Sequence, residues 1–93
     1  MAPSVQTIKI GCLNNKQQTD IHTNLSEQLI QYKCDFNIKN LYDFHISYNC
    51  NNIKYTHGLL LTINLKNSLI YNSAFIYGIL SDYTNTNFTV DYS

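Results

Sequence analysis

Charge is the scarcest property of this chain. Only 13% of its 93 residues are charged, and six basic residues balance six acidic ones, so the formal net charge is zero. That is roughly half the usual share of charged residues. There is no basic stripe of the kind that holds a phosphate backbone, which argues against nucleic acid as a partner. There is no acidic run either, which argues against mimicry of nucleic acid by charge. Weak net charge also lowers colloidal repulsion and favours self-association. Proline occurs once, glycine three times and tryptophan not at all. With so little glycine there is no phosphate-cradling loop, and no linker or internal repeat divides the chain. A single domain over residues 1–93 is expected.

Long apolar runs are missing too. None approaches the ~20 residues needed to span a bilayer, and Met1-Ala2-Pro3-Ser4 carries no basic and apolar signal region. Three cysteines, Cys12, Cys34 and Cys50, make an odd count that argues against a full disulfide framework. These features lead to the expectation of a soluble, cytoplasmic protein with reduced cysteines, or a secreted one where a leader has been removed. The sequons Asn24-Leu25-Ser26 and Asn87-Phe88-Thr89 read as chance in an Asn-rich sequence.

What is present is ordinary apolar content, 44%, with eight tyrosines and four phenylalanines. Such a chain can bury a small core and does not have the profile of a disordered segment. The preference for Asn, Ile, Tyr, Lys and Phe points to an AT-rich gene, as in many viruses and mobile elements.

Alternation dominates the pattern. Val5 to Leu13 reads as a strand with Ile8, Ile10 and Cys12 on one face. Asn14 to Asp20 is polar and reads as a loop. Residues 24–38 are ambiguous. Ile30, Tyr32, Cys34, Phe36 and Ile38 obey period two and favour a strand. Asn24 and Glu27 stand at capping-box spacing, and Leu25, Leu29, Tyr32 and Phe36 at helical spacing, so a helix competes. Tyr42 to Cys50 alternates as a further strand. If both segments are strands, Phe36 faces Phe44 and Ile38 faces Tyr42. Asn51-Asn52 suits a tight turn, which sets Cys50 opposite Ile53, Ile46 opposite His57 and Phe44 opposite Leu59. That strand continues to Leu65, the next is expected over Leu69 to Leu80, and Phe88 to Tyr92 alternates as the last.

Few constellations carry chemistry. Cys34, His45, Cys50 and His57 are metal-ligand types, but the spacing matches no compact zinc pattern and the inferred hairpin separates them. A Cys34–Cys50 disulfide fails on the same geometry. The carboxylates are scattered, and nothing activates a thiol. Neither a cofactor nor an enzymatic activity is expected.

The reading is an all-β domain, a small antiparallel sandwich or barrel of about six strands in a meander. An α+β domain with one helix near residues 24–36 on a meander sheet is the alternative. The expected function is a non-enzymatic interaction module that self-associates as a homo-oligomer or binds and blocks a protein partner. Its expected interface is the apolar face of Tyr71, Phe75 and Tyr77. A glycan- or small-ligand-binding domain is the second reading, through the turn Asp82–Asn87 with Tyr83, Asn85 and Asn87 as contacts.

Overall fold

The computed structural model describes residues 4–43, 50, 53–64, 77–79, 81 and 87–92. These residues form an α+β arrangement. Strand β1 (Val5–Leu13) leads into helix α1 (Asn15–Gln31), followed by β2 (Asp35–Leu41), β3 (His57–Asn64) and β4 (Asn87–Tyr92). The sheet order is β2-β3-β1-β4, and each neighbouring pair is antiparallel. Strands β1 and β2 are both antiparallel to β3, so they run parallel to one another with β3 inserted between them. The β1-α1-β2 unit is therefore split by a strand from later in the chain.

This overturns the all-β sandwich or barrel of six meandering strands. Among the described residues there is one long helix, and of the strands consecutive in sequence only β2 and β3 are neighbours in the sheet. The α+β alternative is consistent with the structure, although its helix starts well before residue 24.

The helix begins at Asn14. The Asn14 side chain accepts from the Gln17 backbone N–H at 2.7 Å, and the Gln17 side chain accepts from the Asn14 N–H at 2.9 Å. This reciprocal box satisfies two donors that a helix start otherwise leaves open. The polar stretch Asn14–Asp20, read from sequence as a loop, is thus a cap and the first turns of α1. Gln18, Ile21, Leu25 and Leu29 are buried at spacings of three and four residues, on one stripe. The helix ends with Lys33 in the left-handed region, φ 56°. Lys33 N–H donates to Ile30 O and Cys34 N–H to Leu29 O, both at 3.0 Å. This is a Schellman closure with lysine where glycine is usual.

The core lies between α1 and one face of the sheet. Ile8, Ile10 and Leu13 of β1, Ile21, Leu25 and Leu29 of α1, and Leu59, Leu61 and Ile63 of β3 are all fully buried. Each such side chain contributes about 1.5–3 kcal/mol relative to exposure. Phe36 and Ile38 of β2 pack against this cluster but stay half-buried.

Strand β1 changes register partway along. Ile10 pairs with Leu59 and Leu13 with His57, so Gly11 and Cys12 together oppose Gly58. Cys12 takes φ 61° at this bulge. One extra residue flips the alternation. Leu13 therefore joins Ile8 and Ile10 in the core, and Cys12, expected on their face, is diverted from the cluster. Its sulfur bonds Cys50, with the Cα atoms 5.5 Å apart. The odd count leads to an expectation of reduced cysteines; Cys12 and Cys50 are instead joined, a pair that the hairpin geometry used against Cys34–Cys50 does not address. The link ties the end of β1 to the connection between β2 and β3.

Other pairings change as well. Leu59 lies between Asn40 of β2 and Ile10 of β1, so it does not pair with Phe44. His57 pairs with Leu13 rather than Ile46. Residues 39–41 complete β2, with Phe36 opposite Ile63 rather than Phe44 and Ile38 opposite Leu61 rather than Tyr42. Ile53 and Lys54 form a turn instead of starting a strand. The rest of the expected 42–50 strand, residues 44–49, and the Asn51-Asn52 turn lie outside the described residues. Most of the expected 69–80 strand does too, but its described part, Tyr77–Ile79, is one helical turn closed by Ser81 N–H to Tyr77 O at 2.9 Å.

Candidate functional site

Among the described residues, strand β2 is an edge of the sheet. Asp35, Asn37, Lys39 and Asn40 are exposed, and Phe36, Ile38 and Leu41 are half-buried. Among the described residues only β3 pairs with it. Even-numbered β2 residues lie on the helix-covered face. Asp35, Asn37 and Lys39 lie on the opposite face, level with Asn64, Thr62 and Leu60 of β3. That outer face continues into Thr7 and Lys9 of β1.

Three side chains fix the edge. Gln18 sits buried in α1 and donates from Nε2 to Leu41 O at 3.0 Å and to Gly58 O at 2.7 Å. One amide thus joins the helix to the last residue of β2 and the second of β3. Buried carbonyls left without such a donor cost about 1–3 kcal/mol each. His22 Nδ1 lies 3.0 Å from Asn40 Oδ1, linking the flank of α1 to the strand. Asn64 Nδ2 donates to Asp35 Oδ2 at 3.4 Å on the outer face.

Exposed apolar and aromatic groups bracket β2. Ile30 and Tyr32, at the end of α1, are 67% and 44% exposed, and Tyr42, just past the strand, is 64% exposed. Tyr42 meets the His57 ring edge-on, with centroids 5.5 Å apart. Tyrosine beside a strand edge with little charge has the composition of interface cores. Chemically, the edge offers backbone donors and acceptors to an incoming strand, with side-chain selection on each face.

The residues proposed from sequence are not gathered here. Tyr77 is 57% exposed on its helical turn, two residues from Ile79, which packs against the core. Tyr71, Phe75, Tyr83 and Asn85 lie outside the described residues. Asn87 opens β4 opposite Gly11. Of the metal-ligand types, His45 lies outside the described residues. Among the described residues, no group of three or more His, Cys, Asp or Glu is placed to hold a metal ion, and no helix is long and apolar enough to cross a membrane. The signal for the β2 edge was legible only in part. Asp35 and Lys39 share one face of an alternating run, but alternation does not say that the run ends the sheet.

No known family model matches this chain. No curated protein matches it in sequence.

Proposed function

We propose that this protein is a non-enzymatic interaction module that binds protein through the outer edge of β2. The observation that carries the reading is a strand at the edge of the sheet among the described residues, with exposed or half-buried side chains throughout, hydrogen-bonded to Gln18 and flanked by exposed Ile30, Tyr32 and Tyr42. A preformed strand edge gives main-chain hydrogen bonds at little ordering cost, which suits strand addition. The Cys12–Cys50 disulfide supports an oxidising compartment as the place of action, in preference to the reducing cytoplasm.

The test is recovery of the tagged chain from its native host, followed by mass measurement and amide hydrogen exchange. A complex of fixed stoichiometry in which residues 35–41 gain protection is the expected result. A chain recovered alone, with exchange at 35–41 as fast as in the isolated protein, overturns the reading.

A further inference from the structure

We infer that the partner of the β2 edge is a second copy of this chain, paired antiparallel about a twofold axis at Asn37. The inference rests on the interaction-module reading and names its partner. In an antiparallel pair, residues that face each other must share a sheet face, so their numbers sum to an even value in a symmetric pairing. Centred on Asn37, Asp35 of one copy faces Lys39 of the other, and Lys39 faces Asp35. Phe36 faces Ile38 twice on the helix-covered side. Both opposite-charge pairs and both apolar pairs form at once.

Neighbouring registers lose this match. Centred on Ile38, Asp35 faces Leu41 and Lys39 faces Asn37. Centred on Lys39, that lysine faces itself. Centred on Phe36, Lys39 faces Lys33. Like charges directly opposite are destabilising, and opposite ones favourable. A lysine on an edge ordinarily discourages edge-to-edge pairing. Here the same lysine selects one register, because Asp35 lies four residues before it on the same face. The Asn64 amide that donates to Asp35 Oδ2 holds the carboxylate on that outer face and leaves Oδ1 for the lysine.

The pairing also brings the two helices side by side. A twofold axis perpendicular to the sheet puts both α1 helices on one side, with their β2-facing flanks turned toward each other. His22 marks that flank through its contact with Asn40. Ile30 lies eight residues further, about 80° round the helix from His22 on its solvent side, and is 67% exposed.

The experiment is sedimentation of the purified, disulfide-intact chain over about three decades of concentration, with charge variants. Wild type is expected to dimerise. Lys39→Glu and Asp35→Lys, each replacing two attractive pairs by two repulsive ones, are each expected to weaken the dimer by about tenfold or more. Mixing the two variants is expected to restore association as a heterodimer, since every facing pair is again opposite in charge. A wild type that stays monomeric throughout overturns self-pairing, and protection of residues 35–41 by a different protein then still upholds the module reading. A dimer indifferent to both charge changes overturns the register. Where a charge variant fails to fold, Asn37→Cys in a Cys34→Ser chain decides. The axis position cross-links to itself under oxidation while Asp35→Cys in the same background does not, and equal cross-linking of the two overturns the proposal.

Discussion

Strands β1 and β2 flank the same neighbour, β3, and both alternate apolar and polar residues, yet they are buried to different depths. Ile8 and Ile10 of β1 are fully buried, whereas Phe36 and Ile38 of β2 are only half-buried. The difference is the second neighbour. Strand β1 has β4 on its far side and α1 over its apolar face, and it is further tied by the Cys12–Cys50 bond. Strand β2 has β3 on one side only, among the described residues. Alternation reports which face of a strand looks inward. It does not report how many strands stand beside it, and that number separates a structural strand from one available for recognition.

Four changes probe this contrast, beginning with the strongest. Cys12→Ser removes a cross-link spanning 38 residues, which by chain entropy costs about 4 kcal/mol. Urea unfolding of the variant, beside wild type with and without reductant, measures it. An unchanged midpoint would mean that β1 does not depend on the link. Next, Ile8→Ala is expected to cost about 2–5 kcal/mol, because it leaves a cavity in a closed core. Ile38→Ala, with solvent already on one side, is expected to cost roughly 1–2 kcal/mol by the same reasoning. Equal losses for the two would erase the distinction between centre and edge. The smallest effect is a gain. Lys33 holds a left-handed conformation at the entrance to β2, so Lys33→Gly should add about 0.5–1 kcal/mol of stability, read as a higher melting temperature. A loss at this position would show that the lysine side chain outweighs its backbone strain.

Much of the sheet was legible in the sequence and its order was not. The alternation of Val5–Leu13 and of Phe88–Tyr92 located β1 and β4 closely. The helix was misplaced because its buried stripe includes a polar residue, Gln18, and because its cap lies in a stretch whose composition resembles a loop. Residues 30–38 mixed two signals for a physical reason: the helix ends and the strand begins inside that window, within four residues of each other. The hairpin logic failed at Leu59 because local turn chemistry favoured a sequential neighbour, while the sheet gave both sides of Leu59 to Asn40 and Ile10. The Cys12–Cys50 pair was hidden by the bulge, since strict alternation pointed Cys12 into the core. As for the interaction edge, Asp35 and Lys39 were visible as outward residues, but their position at the margin of the sheet depends on strands drawn from elsewhere in the chain.

The insertion of β3 between β1 and β2, with β4 beyond β1, also orders events in time. Gln6 pairs with Ile63 on one side and Tyr92 on the other, separations of 63 − 6 = 57 and 92 − 6 = 86 residues. During synthesis at about 5–20 residues per second, roughly 4–17 s pass between the appearance of Gln6 and that of its last partner. The helix closes on local contacts within that interval, and Cys50 emerges in time to capture Cys12 before either ladder of β1 is complete. The strand at the middle of the sheet is thus the first to be made and the last to be enclosed.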